Sequence, residues 1–410
     1  MADRMRRCFP GGLVTALVAV TSPLVACTAD SPAKPSRTPG TEAYSGYRVA
    51  RPSALARLGV SADGRAFRLG KSGAFAVAEP VPNGVLLSIP RIDRQPPRSR
   101  QGGTVTPGEP HTNTKTAPMQ AAILNPADGR ITRIPLVKPD HELASFYIAP
   151  SGAFVWVETR QSSSPCADPE FGCFTWSLYV ASQAGGPARL IAEEKRSSPK
   201  RGVPDPKLSG ETVCWAQSTN NRHWTVTRQD LTAQAKPMTS RWNTWVDKCV
   251  PSGRGIVVSQ VHGFAHARPG KFAVGTIDLR DETGKHRRLG KRTEEFALHG
   301  TQLAYIRNKD PEQGTGQVWL TSLADSRSAR KLLDKNEGVD NLVWIDDHRL
   351  MVKTTHAWLL LDTRTGERSQ LLGDKEGVVW PTVGYGKFVY GNPIEPGLDI
   401  ELRIYDLPAQ

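Results

Sequence analysis

Beyond residue 46 the chain alternates short runs of β-branched, aromatic and other apolar residues with polar turns that contain glycine or proline. The runs have the length of strands and the turns are frequent, which predicts an all-β chain and argues against a helical bundle. One order recurs: an apolar strand, a tight glycine-containing turn, a second strand, a variable loop, a third strand, a polar turn and a fourth strand. It is clearest from Phe146 to Ile191, with turns at Pro150 to Gly152 and Gln183 to Gly186, and it returns from Leu342 to Leu372. Units start near residues 71, 142, 205, 243, 293, 338 and 378, about 47 residues apart from the second onward, which is close to the period of four-stranded propeller blades. A β-sandwich would use as many strands but would not repeat the order of its turns. The count is seven blades, and six or eight are also compatible because the third unit is short.

The last unit stops after its third strand, Leu402 to Tyr405, while residues 65 to 70 read like the fourth strands Arg287 to Gly290 and Gln370 to Gly373. The N-terminal strand is therefore expected to complete the last blade, which closes the ring and removes two sheet edges.

Composition supports one large all-β domain: of 410 residues 38% are hydrophobic and 23% charged, with 37 glycines and 32 prolines, too apolar for a disordered chain and rich in turn formers. The formal net charge is +13. Such a surface attracts polyanions such as phospholipid headgroups, phosphate-bearing wall polymers or nucleic acid, and a solvated basic face without a partner is the plain alternative.

The N-terminus suggests a compartment. Arg4, Arg6 and Arg7 form a charged leader, Gly11 to Val20 is a short apolar stretch, and Leu24-Val25-Ala26-Cys27 follows. About a dozen apolar residues are too few to span a bilayer as a retained helix, so residues 1–26 read as a cleaved signal peptide. The four residues resemble a bacterial lipobox, and the resemblance implies that Cys27 is acylated and becomes the first mature residue, placing the protein on the extracytoplasmic face of the cell membrane. Residues 27–46 then form the acylated cysteine and a Ser/Thr/Pro/Gly-rich tether spanning roughly 25 Å. Residues 47–410 form the propeller, interrupted by an insertion at 91–118.

In an oxidising compartment the remaining Cys166, Cys173, Cys214 and Cys249 are an even set with three possible pairings. Cys166 and Cys173 bracket a short Pro/Gly-containing loop, so a local bridge between them, leaving Cys214 with Cys249, is the economical arrangement. A zinc site competes poorly, because the chain has no CxxC pair and its histidines are scattered.

Tyr147 to Trp156, together with Asp362 to Glu367 as a turn between third and fourth strands, resembles the TolB-like or WD40-like propeller lipoproteins of bacteria, especially those of actinomycetes. The resemblance runs over nearly the whole mature chain and implies a periplasmic or surface binding scaffold.

Linear signatures of chemistry are missing. There is no His-Glu-x-x-His, Gly-x-Ser-x-Gly, phosphate loop or calcium loop. His262 and His266 sit around Gly263 in a loop and read as functionless, and Asp346-Asp347 fits the preferences of a hairpin turn. No catalytic residue, metal site or cofactor is expected. The loops between second and third strands, at 91–118, 161–174, 262–271, 308–316 and 392–399, are long and leave a propeller on one face, which makes that face the candidate binding surface. Arg91, Arg94, Arg98 and Arg100 give the first of these loops a basic arm. A second basic cluster, Lys285 to Arg292, belongs to the opposite or outer side.

The expected protein is a membrane-anchored, monomeric, non-enzymatic propeller that binds an envelope protein or an anionic envelope polymer. Its partners include membrane lipid through the anchor and exclude nucleic acid. A hydrolase or lyase acting on cell-wall or carbohydrate substrates in a central funnel is the alternative, because propeller active sites gather residues from several blades. If Cys27 is the acylated terminus, Cys27→Ala leaves the protein unprocessed or released from the membrane. Mass spectrometry of the mature N-terminus checks this, and a terminus elsewhere or an absent lipid contradicts it.

Overall fold

The computed structural model describes residues 43–408 apart from 70–77, 91–118, 150, 162–172, 200–202, 221–222, 233–235, 263–273, 311–314, 335–337, 374–378 and 396–398. Seven antiparallel sheets follow one another along the chain and form a seven-bladed β-propeller. The first, innermost strands are Ala78–Val81, Glu142–Ile148, Lys207–Ser209, Trp245–Ser252, Thr293–His299, Val339–Trp344 and Val379–Gly384, which define blades 1 to 7 in that order. Six sheets have four strands and the seventh has five. No helix among the described residues is long and apolar enough to cross a membrane.

The core explains why so many strands are apolar at consecutive positions. A strand exposes alternate side chains on opposite faces of its sheet, and in a ring of blades both faces are covered. In blade 3, Val213 and Trp215 pack toward blade 2, while Cys214 and Ala216 pack toward blade 4. In blade 1, Val85 and Leu87 face blade 7, whereas Leu86 faces blade 2. Seven separate apolar clusters result, one between each pair of neighbouring blades.

The ring closes as the sequence predicts. Asp63–Arg68 is the fourth strand of blade 7 and pairs with its third strand, Asp399–Asp406, through Arg65 with Ile404 and Phe67 with Leu402. Gly46–Ala50 adds an outermost fifth strand, which the sequence reading placed at the tether boundary and did not recognise. The 3₁₀ helix Ser53–Leu58 between these strands inserts Leu55 and Leu58, both fully buried, among Met351 and Trp358 of blade 6 and Phe388 and Tyr405 of blade 7. Upstream, the Tyr44 backbone N–H donates to the Gly129 carbonyl at 2.9 Å in blade 1. Gly129 has a φ of 73° and lies where a Cβ would collide with the Tyr44 carbonyl, so this seam requires glycine. The N-terminal segment therefore contacts blades 6, 7 and 1 and so joins the two ends of the ring, blades 7 and 1.

Several buried carboxylates have structural work only. Glu158 accepts the Val137 and Lys138 backbone N–H groups and the Trp156 indole, and Asp278 accepts from Gln260, Thr276 and Arg288. Asp346 binds the backbone N–H groups of His348 and Arg349 and the Arg349 guanidinium, and these bonds overcome its burial and hold its carboxyl below the usual range. Turn chemistry does account for Asp346, as its sequence context suggests.

Phe67 is fully buried where blade 7 meets blade 1. Phe67→Ala is therefore expected to lower stability by about 3–5 kcal/mol, as truncations of buried aromatics do. Val137→Ala, at a 45% exposed position, is expected to stay within about 0.5 kcal/mol of the parent. Denaturant unfolding of both variants checks the difference, and equal midpoints contradict a closure that depends on this strand.

Candidate functional site

The first strands line the axis of the ring, and those of blades 2 and 3, 3 and 4, 5 and 6, 6 and 7, and 7 and 1 touch one another. In blades 2, 4, 5, 6 and 7 the innermost strand carries one residue more than its partner, a β-bulge. A bulge leaves its extra residue out of the ladder and re-aims a side chain. In blade 4 that residue is Asp247, and in blade 5 the bulge includes Glu295.

Charged groups from blades 1, 3, 4 and 5 and a tyrosine from blade 2 meet in this lining. Lys207 of blade 3 binds Asp205 at 3.0 Å and lies 5.3 Å from the centre of the Tyr147 ring of blade 2. It also senses Glu79 of blade 1. Blades 1 and 3 are not neighbours, and Tyr147 of the blade between them senses both Glu79 and Lys207. Asp247 of blade 4 senses Asp205 and Lys207 on one side and Glu295 of blade 5 on the other. Lys248 closes the series, with its ammonium 2.6 Å from Glu295, 2.9 Å from the Phe296 carbonyl and over the Phe296 ring.

Glu79, Tyr147 and Lys207 all stand within two residues of the ends of their strands, on the side of the short turns. Tyr385 also approaches from that side. It lies in the turn after the first strand of blade 7, at a φ of 48°, and its hydroxyl donates to the Ala149 carbonyl of blade 2 at 2.5 Å. A non-glycine residue in the left-handed region carries strain that its surroundings must hold, and here the holding bond reaches across blade 1.

The environment shifts these groups in a consistent direction. Burial pushes the Glu79 carboxyl up to about 7, against the opposing pull of Lys207. Burial, reinforced by the like charge of Glu295, pushes Asp247 up to about 6. Burial also raises the Tyr147 phenol. For Lys207, burial favours the neutral amine, but the charge and hydrogen bond of Asp205, helped by Glu79 and Tyr147, outweigh it and raise the ammonium.

Cys214 pairs in register with Lys207 across the first two strands of blade 3. Cys214 and Cys249 are both buried, are hydrogen-bonded to each other in the cluster between blades 3 and 4, and are free thiols in this structure. Burial and the contact with Cys249 raise the Cys214 thiol well above its usual range. The two residues left as partners by the sequence reading are therefore side by side.

Other residues singled out in the sequence are placed differently. Cys166, Arg91, Arg94, Arg98, Arg100, Cys27 and His266 lie outside the described residues, as do most of the long loops. Cys173 opens the third strand of blade 2. Arg287 and Arg288 occupy the fourth, outer strand of blade 4, where Arg288 pairs with Asp278 at 3.1 Å. The sequence reading did not find Glu79, Lys207, Asp247 or Glu295. Glu79, Asp247 and Glu295 are charged residues inside a first strand and Lys207 opens one, and a charge at a first strand was the signal that could have found them. Among the described residues no group of three or more His, Cys, Asp or Glu side chains could hold a metal ion.

No protein-family model and no curated protein matches this sequence. Among solved structures, a nidogen/laminin complex aligns at 13% identity and a TM-score of 0.35, covering 62% of this chain and 89% of that one. A mutant of the Synechocystis apocarotenoid oxygenase aligns at 10% identity and 0.42, covering 62% and 67%. The tricorn protease aligns at 11% identity and 0.41, covering 72% of this chain and 29% of its own. At such scores none of them bears on what this chain does, and the propeller rests on its own strand pairing.

The raised Glu79 makes stability depend on pH. The folded chain holds a proton on Glu79 up to about pH 7 and the unfolded chain only to its ordinary 4.5. This contribution is thus full below the lower value and is lost as pH rises through the higher one, an effect of about 3 kcal/mol at most. Glu79→Gln removes the titration, so its melting temperature relative to the parent is expected to rise between about pH 5 and about pH 8. A constant difference across that range would place Glu79 in water with an ordinary pKa.

Proposed function

We propose that the chain is an extracytoplasmic propeller, held at the cell membrane through Cys27, that binds an envelope component at its axis and does not turn it over. One observation carries this reading: the amine of the lining, Lys207, is ion-paired with Asp205 at 3.0 Å and stands 5.3 Å from the centre of the Tyr147 ring, an arrangement that keeps it an ammonium. The Lys207 ammonium and the Tyr147 phenol are both raised, whereas covalent catalysis needs an amine or phenol that loses its proton readily. Paired ammonium and carboxylate groups with a neutral phenol offer donors and acceptors to a polar ligand, which suits recognition.

The lipobox-like Leu24 to Cys27 supports the membrane anchor, and the basic balance of the chain supports an anionic envelope polymer or an envelope protein as partner. The reading includes a monomer whose Cys214 and Cys249 oxidise to a disulfide after export, with a local Cys166–Cys173 bridge beside it. The TolB-like or WD40-like lipoproteins are the kind of scaffold that this chain resembles.

A second reading has one observation in its favour. Glu79, with a carboxyl at about 7, is tuned as a general acid or base is, and a hydrolase or lyase would use it so. The two readings part in a single assay. The anchored protein is incubated with its own envelope fraction, and captured and released material are both sized by mass spectrometry. Capture without shortening, retained by Glu79→Gln, is the expected result. Shortened products made by the parent and lost in Glu79→Gln would establish the enzyme.

A further inference from the structure

A second polar site lies away from the axis, on the face formed by the short turns. The turns of blades 5 and 6 enclose a cleft of about 450 Å³, lined by His299, Gln302, Arg330, Asp347, Thr363 and Arg364 among others. That volume lies within the range of small-ligand sites.

Its walls are fixed by bonds that cross between the blades. The His299 imidazole of blade 5 meets the Asp347 carboxylate of blade 6 at 2.8 Å, and the Gln302 amide donates to the Asp347 carbonyl at 2.8 Å. On the other side the Arg330 guanidinium of blade 5 donates to the Thr363 carbonyl of blade 6. These contacts leave charge to spare. Arg330 uses one of its five N–H donors in that bond, and the exposed Arg364 guanidinium has no partner among the described residues. Two arginines thus line a cleft whose one acidic side chain, Asp347, already has His299 as a partner.

Forked guanidinium donors match the oxygens of a phosphate, and their positive charge attracts it. The remaining lining, an amide, threonines and an aspartate, suits hydroxyl groups. Leu320 is the one large apolar residue of the lining, so the concave, polar shape favours a soluble phosphorylated compound over the acyl region of a lipid. We infer that this cleft binds a phosphorylated polyol or sugar unit, with the phosphate on Arg330 and Arg364 and the hydroxyls on Asp347 and Gln302. The inference rests on the binding reading above and gives the anionic envelope ligand a second point of attachment, opposite the face of the long loops.

Calorimetric titration of the full chain with sn-glycerol 3-phosphate, inorganic phosphate and glycerol tests it. Glycerol 3-phosphate is expected to bind more tightly than either of its parts. Arg364→Ala is expected to weaken it about tenfold or more, as the loss of a charged hydrogen bond does, and Arg364→Lys, which keeps the charge without the fork, to fall between. Arg364 is exposed and supports no other side chain, so the variants should fold, and matching circular dichroism and melting curves verify that they do. Equal affinity in parent and Arg364→Ala, or glycerol binding as well as its phosphate, overturns the cleft. If the parent and Arg364→Ala still capture envelope material equally while glycerol 3-phosphate fails to bind, the cleft fails and the axial reading stands. If the parent captures nothing, the binding reading itself fails.

Discussion

Each blade of this protein has two apolar faces, and a sheet with two apolar faces is stable only between two others. That constraint requires the chain to run as a closed ring, because any open end would leave one such face in water. The seven apolar clusters between neighbouring blades are its direct expression. Closure falls to the N-terminal segment: Phe67 fills the seam between blades 7 and 1, and Leu55 and Leu58 fill the seam between blades 6 and 7. The last sheet is completed by a strand from the other end of the chain, so no single stretch of sequence contains the fold's closing contact.

The same packing explains where chemistry can sit. With both faces of every blade used in wedges of apolar side chains, polar groups find room along the axis and in the turns at the two ends. Along the axis, bulges in five innermost strands set residues such as Asp247 outside the regular ladder. Five blades contribute to one charged lining, and the charges are balanced in pairs, Lys207 with Asp205 and Lys248 with Glu295. At the ends, neighbouring blades meet through turn residues, and His299 with Asp347 shows how such a contact becomes the wall of a cleft.

Much of the architecture was legible in the sequence because propeller blades are built from local signals. The hairpin turns, the period and the strand-like residues 65 to 70 depend on short stretches of chain, and they gave the blade count and the closure. Gly46–Ala50 was missed because it is mostly exposed and lies next to a tether-like composition, so it has no apolar signal. The axial groups were missed for another reason. Glu79, Lys207 and Asp247 are far apart in sequence and become neighbours only when the ring closes, so no linear motif records them. Asp347 looked like its neighbour Asp346, but Asp346 turns inward to hold its hairpin while Asp347 reaches His299 on the next blade.

The account stands or falls on the state of the axial amine. If the lining is a recognition site, Lys207 remains an ammonium beside Asp205 and is raised above its ordinary 10.5. Isotope-edited NMR titration of the lysine side chains, assigned with Lys207→Met, measures this directly. The account predicts that the Lys207 signal does not titrate below its ordinary value. A Lys207 amine that loses its proton near neutral pH would be a nucleophile or base in waiting, and would contradict the reading of this propeller as a binding protein.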